Sequence, residues 1–122
     1  MFAEVKRVSL GQIEAARARI KALSVVTPLV GCDIAPPGKT LRLKLENLQP
    51  IGSFKIRPIA NAVLNRNPGE LSGGIYTTSS GNSGLGCAWI ARRLGLSATA
   101  IVPSNAPQAK LERLRQLGAR IE

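Results

Sequence analysis

The sequence predicts an α/β fold of parallel βαβ units, an incomplete three-layer sandwich, and two observations carry that expectation. The run Ile75-Tyr76-Thr77-Thr78 is rich in strand formers and leads into the small-residue segment Ser79-Ser80-Gly81-Asn82-Ser83-Gly84, after which a helical pattern continues through Leu94 and stops at Gly95. The same succession then repeats, with a short apolar strand over residues 98–102, a loop over residues 103–107, and a helical stripe of Leu111, Leu114 and Leu117 closed by Gly118. Alternation at this spacing calls for parallel strands joined by right-handed crossovers, with helices over both faces of the sheet.

The preceding elements follow from pattern and punctuation. Residues 9–23 place Ile13, Ala16, Ile20 and Leu23 at steps of three or four, an amphipathic helix with Ser9 as its N-cap. Thr27-Pro28-Leu29 is extended because the residue before proline is pushed out of the helical region, and Pro36-Pro37-Gly38 is a turn. Leu41, Leu43 and Leu45 alternate with Arg42, Lys44 and Glu46, which is a strand with one polar face. Ile56, Ile59, Ala60 and Val63 mark a second helix. Pro58 interrupts it unless the helix starts near Arg57 with Pro58 in its first position, so Lys55 is expected just before the helix.

Composition narrows the chemistry. The 122 residues are 44% hydrophobic and 20% charged, a globular balance. Seventeen Lys and Arg against seven Asp and Glu leave a formal charge of +10. Such an excess can signal a phosphate-rich partner. Here Phe2, Phe54, Tyr76 and Trp89 are too scattered for a base-stacking platform and only Arg92-Arg93 are adjacent, so the pattern argues against nucleic acid. With no His, a Ser-His or Cys-His pair is excluded within this chain and no metal site is expected. Cys32 and Cys87, far apart and without a CxxC, read as reduced core thiols. No apolar run approaches the roughly 18 residues of a membrane span. The amino terminus carries Glu4 instead of a signal-peptide core, so no membrane partner is expected and the cytoplasm is the expected compartment.

Two segments carry candidate chemistry. In residues 79–84 small side chains let the backbone approach a ligand, and the helix start that follows offers free N–H groups to an anion. The plainer reading is a strand-to-helix turn capped by Asn82 or Ser83. The segment fits neither GxGxxG nor GxxxxGK[ST]. The second segment is Glu46-Asn47-Leu48-Gln49-Pro50-Ile51-Gly52-Ser53-Phe54-Lys55-Ile56-Arg57. Lys55 alone reads as a solvated surface lysine. Set between aromatic and aliphatic neighbours at a helix start, with Arg57 two residues on, it has surroundings that favour the neutral amine needed for Schiff-base formation.

Taken together, the two segments resemble the pyridoxal-phosphate enzymes of the tryptophan-synthase-β type, fold type II, in the branch of the threonine dehydratases and serine racemases. The resemblance lies in Lys44-Leu45-Glu46, Gly52-Ser53-Phe54-Lys55-Ile56-Arg57 and Ser79-Ser80-Gly81-Asn82-Ser83-Gly84, with Thr27-Pro28-Leu29, Lys110 and Gly118-Ala119 in the expected order. It implies pyridoxal 5'-phosphate as cofactor, Lys55 as its Schiff-base lysine, Phe54 beside the cofactor ring and Asn82 on the ring hydroxyl. Ser79, Ser80, Asn82 and Ser83 are the implied substrate-carboxylate loop, with Ser80 on the ring face opposite Lys55. The implied reaction is dehydration and deamination of L-threonine or L-serine to a 2-oxo acid and ammonia, or serine racemisation. The implied partners are a small amino-acid substrate and, for the full-length enzyme, a homodimer or larger assembly. The cysteine-synthase branch usually has an acidic residue after the lysine, and Ile56 argues against it.

Three features depart from the family pattern. Pro58 stands where the dehydratase branch commonly has Gly, and Ser83 where it commonly has His. The glycine-rich phosphate loop and the Ser or Cys facing the pyridine nitrogen belong to a later portion with no counterpart here, so residues 1–122 are expected to be the amino-terminal portion of a catalytic domain. The competing expectation is a catalytically inactive remnant that binds an anion or nucleic acid.

Overall fold

Ser9 supplies the acceptor that a helix start lacks, and helix α1 (Leu10–Ile20) begins on it. Its hydroxyl accepts from Gln12 N while the Gln12 side chain accepts from Ser9 N, a reciprocal capping box. The computed structural model describes residues 7–122, so Phe2 and Glu4 lie outside the described residues. After α1 the chain forms an antiparallel hairpin of β1 (Leu29–Cys32) and β2 (Leu41–Lys44), with Leu29 opposite Lys44 and Cys32 opposite Leu41. The strand expected from residue 41 is present. Its partner was expected only as an extended segment. Leu41 and Leu43, the face opposite Arg42 and Lys44, are also exposed.

A single 3-10 turn, Glu46–Leu48, leads to α2 (Ile56–Leu64), which buries Ile56, Ala60 and Val63. The helix takes in two residues ahead of Pro58, with Lys55 as N-cap and Pro58 in its third position where the first was expected. Proline is harmless there because amides of the first turn have no intrahelical acceptor. The Phe54 carbonyl, which Pro58 cannot serve, accepts instead from Arg57 N at 2.9 Å.

The second half alternates as expected: β3 (Ile75–Thr77), α3 (Asn82–Leu94), β4 (Ala98–Ala100), α4 (Gln108–Gln116) and β5 (Arg120–Ile121). The strands are parallel in the order β3-β4-β5, so both crossovers step in one direction and right-handedness puts α3 and α4 on one face. That face carries Ile75, Ala98 and Ala100 into a core with Leu85, Ala88, Ile90 and Leu114. On the other face Tyr76 is 65% exposed, and the helices packed most closely on the sheet among the described residues are α3 and α4. Two layers of the three-layer arrangement are therefore present. The thiols differ from expectation, since Cys32 and Cys87 are free but only half-buried.

Candidate active site

Strand β3 points its carboxyl end at residues 78–81, which turn at once into α3. Ser79 N donates to Thr77 Oγ1 at 3.3 Å and Gly81 N to Ser79 Oγ at 3.2 Å. Gly81 is the N-cap and no side chain caps the helix, so the simple capping role expected of Asn82 or Ser83 is not realised. Asn82 is instead the first helical residue. The first helical donor is Leu85 N, bonded to Gly81 O at 3.0 Å. The amides of Asn82, Ser83 and Gly84 are left without a helical acceptor and form a cluster of donors at the positive end of α3. Gly84 makes the loop possible, because a Cβ there would stand 1.8 Å from the Ser79 carbonyl oxygen. Ser79, Ser80 and Ser83 are half-buried, and Asn82 is exposed.

Lys55 sits at the start of α2, half-buried, with Nζ 5.3 Å from the centroid of the Phe54 ring. Phe54 itself is 53% exposed. Among the described residues no carboxylate lies within ion-pair distance of Lys55 Nζ. Arg57, expected as a like-charged neighbour of Lys55, gives its guanidinium to Glu46 instead: Nε lies 2.7 Å from Oε2 and Nη2 2.8 Å from Oε1.

Packing between α2 and α3 brings the two segments to one end. The Cβ position of Gly86 is 2.6 Å from Ile59 Cδ1, so the helices touch directly there. Further along, Val63 and Leu64 line the same hollow as Leu94 and Leu96. The helices thus run in the same direction. Lys55 lies about one turn before Ile59, and Asn82 about one turn before Gly86. The amine and the amide cluster therefore share the end of the fold to which the carboxyl end of β3 points, where open α/β sheets bind their ligands.

Behind Lys55 lies a network of polar side chains whose role is not legible in the sequence. Thr27 Oγ1 donates to Glu46 Oε1 at 2.6 Å, Gln49 Nε2 lies 3.3 Å from Glu46 Oε2, and Thr27 and Gln49 are both buried. Gln49 also pairs with the Val25 backbone, accepting from its N at 3.0 Å and donating to its O at 2.8 Å. Arg57, ahead of the other contacts, holds the Glu46 carboxyl at a pKa of about 2. The available signal was the opposite charge at the two ends of one motif.

Comparison with known proteins identifies the family of the chain. The pyridoxal-phosphate dependent enzyme family matches residues 20–122. The chain is 39% identical over 117 residues to the catabolic L-threonine dehydratase of Staphylococcus aureus, covering 93% of this chain and 34% of that protein. It superposes on the serine racemase of Dictyostelium discoideum with a TM-score of 0.86 at 35% identity, over 93% of this chain and 38% of that one. For threonine deaminase isoform 2 of Solanum lycopersicum the TM-score is 0.78 at 27% identity, over 94% and 34%. The chain thus spans about a third of the length of the relatives it matches. On its sequence and its fold, the chain belongs to the fold type II pyridoxal-phosphate dependent enzymes.

Proposed function

We propose that this chain is the amino-terminal portion of a catalytic domain that dehydrates and deaminates L-threonine or L-serine to a 2-oxo acid and ammonia, or racemises serine. The observation that carries the proposal is the shared end of α2 and α3, with a half-buried lysine that has no ion-pair partner among the described residues at the start of one helix and uncapped amides at the start of the other. These residues fit the reactive part of pyridoxal phosphate. Lys55 Nζ is a primary amine able to condense with its aldehyde, and Phe54 beside it leaves half its ring open to cover. The phosphate has no matching loop among the described residues: Gly73-Gly74 precede β3, and the Cβ position of Gly74 lies 2.8 Å from Ser97 O, at the opposite end of the strand from residues 79–84. In this reading the phosphate is held by protein beyond the portion described.

When bound, the cofactor supplies an electron sink for the charge left at the substrate Cα. The chain's own residues do the rest. The amides of Asn82 and Ser83, with the Ser79 and Ser80 side chains, hold the substrate carboxylate at the positive end of α3. Asn82 would also hold the cofactor's ring hydroxyl, and Phe54 would pack beside the ring. Lys55 Nζ takes the α-proton from one face. Loss of the β-hydroxyl as water followed by hydrolysis gives the 2-oxo acid and ammonia, whereas a proton returned from Ser80 on the other face gives the inverted amino acid. A cytoplasmic location belongs to the same reading.

The test is to add pyridoxal phosphate to the purified chain, follow the Schiff-base absorbance, reduce with borohydride and map the label. A label concentrated on Lys55 and lost in Lys55→Ala is the expected result. Label spread evenly over surface lysines sinks the reading for this chain. Release of ammonia and 2-oxo acid from serine or threonine tests the reaction separately. The competing nucleic-acid role draws on charge alone, and the Arg92-Arg93 pair is engaged elsewhere, Arg92 with Gln116 O at 3.3 Å and Arg93 over the Trp89 ring.

A further inference from the structure

We propose that Glu46 and Arg57 are positioning residues for Lys55, a clasp that closes the segment bearing the reactive amine and sets the direction from which it leaves α2. The inference rests on the reading of Lys55 as the cofactor's lysine. Its basis is geometric. The pair is bidentate and joins residues eleven positions apart, from the turn after β2 to the first turn of α2. The segment between them, Lys55 included, is closed off by the pair at its two ends. The clasp is seated on a third segment: Thr27 donates to Glu46, Arg57 Nη2 donates to Val25 O at 3.0 Å, and Lys44 Nζ donates to Thr27 O. The Gln49 side chain bridges Val25 and Glu46, and the Gln49 backbone carbonyl accepts from Gly52 N at 2.7 Å, which shapes the turn into Ser53. Ser53, itself buried, then accepts Lys55 N at 3.3 Å. Hydrogen bonds joined by short stretches of backbone therefore lead from the clasp to the lysine backbone.

The physical need is clear. A nucleophile must be held at a near-attack position, and a misplacement of about 1 Å can cost on the order of 100-fold in rate. Among the described residues Lys55 has no ion pair of its own to fix it. Fully buried Ile56 anchors the following residue, but a hydrophobic contact fixes burial more than direction. The planar, two-bonded Arg–carboxylate geometry supplies direction, which a lysine in place of Arg57 would not reproduce.

The experiment compares wild type, Glu46→Gln and Arg57→Lys with Ile90→Val, a mild core lesion on α3 away from the clasp. One arm measures amide hydrogen exchange over residues 50–56 without cofactor. The other measures the rate at which pyridoxal phosphate becomes borohydride-fixed on Lys55 relative to the other lysines. Both clasp variants are expected to raise exchange and to slow Lys55 labelling by roughly tenfold, part of the loss that misplacement can cause. Ile90→Val is expected to change neither. Exchange at the wild-type level in the clasp variants, an equal rise in Ile90→Val, or faster exchange with unchanged Lys55 labelling would each overturn the proposal. A wild-type label spread over surface lysines removes the cofactor reading alone, and the exchange arm then decides whether the pair fixes the segment that bears Lys55.

Discussion

Gly84→Ala is the sharpest probe of the loop at the start of α3. A Cβ at this position would lie 1.8 Å from Ser79 O and 2.9 Å from Ser79 C, both backbone atoms. No rotamer change relieves that contact. The loop is tied down by the Ser79–Thr77 and Gly81–Ser79 hydrogen bonds, so it must lift away from the helix. Overpacking of a tight site costs about 1–3 kcal/mol, and a backbone clash belongs at the upper end. Alanine returns about 1 kcal/mol through its helix preference over glycine. The net loss is about 2 kcal/mol, which for a chain of this size lowers the melting midpoint by roughly 10 °C. Gly86→Ala is the internal reference. Its nearest obstacle, Ile59 Cδ1 at 2.6 Å, is the end of a side chain that can turn aside. There the overpacking and the helix gain nearly cancel, at about 1 kcal/mol each. Thermal unfolding by circular dichroism on the two variants decides the matter. A Gly84→Ala midpoint close to wild type, or a larger loss in Gly86→Ala, would show that the loop does not lie over the first turn of α3.

Two other measurements follow from perturbed groups. The Glu46 carboxyl, held at a pKa of about 2 by Arg57 against an ordinary value of 4.5, gives stability that is complete above pH 4.5 and is lost as pH falls toward 2. Because the two side chains keep 19% and 31% of their exposure, solvent screening reduces the contribution to about 2 kcal/mol. Urea unfolding between pH 5 and pH 2.5 should show wild type losing its advantage over Glu46→Gln across that window, and parallel curves would refute the pair's role. Burial raises the Cys87 thiol pKa, with a bond to the Thr77 hydroxyl opposing, so alkylation at pH 8 should be slower in the folded chain than in urea. Equal rates mapped by mass spectrometry would place that thiol in solvent.

The parts of the fold legible in the sequence were those whose signal is local. Ser9 marks the start of α1 because a cap is chosen by its own side chain, and Gly95, in the left-handed region at φ 68°, marks the end of α3 for the same reason. The hairpin was half legible. Leu29-Val30-Gly31-Cys32 has no clean alternation, and it becomes a strand through pairing with Leu41–Lys44, a relation no short window contains. Pro58 suggested a later helix start because the local rule places proline first. The structure accepts it two residues further in, since every amide of that turn lacks a helical partner. Strand order was not legible at all. The expectation of helices on both faces came from the alternation pattern, which leaves the direction of each crossover open. The order β3-β4-β5 puts both helices on one side.

At the candidate site the same distinction between local and distant signals separates chemistry from support. Lys55, Phe54, Asn82 and Ser80 are half-buried or exposed, as groups must be if a ligand is to reach them. Thr27 and Gln49, with 2% and 3% of their surface left, are placed where a polar side chain is costly unless fully bonded. They are bonded: among the described residues no buried side-chain nitrogen or oxygen lacks a partner. The motif that contains Lys55 therefore has two functions along its length. Its middle presents an amine, while Glu46, Gln49 and Arg57 grip a segment some twenty to thirty residues earlier in the chain. A motif read as a string could reveal the amine, because a lysine beside an aromatic ring is recognisable from its neighbours. The grip depends on Val25 and Thr27, so it emerges only when α1, β2 and α2 are brought together. Replacing Lys55 should thus remove the chemistry and leave the fold, whereas replacing Glu46 or Arg57 should disturb both through the same few hydrogen bonds.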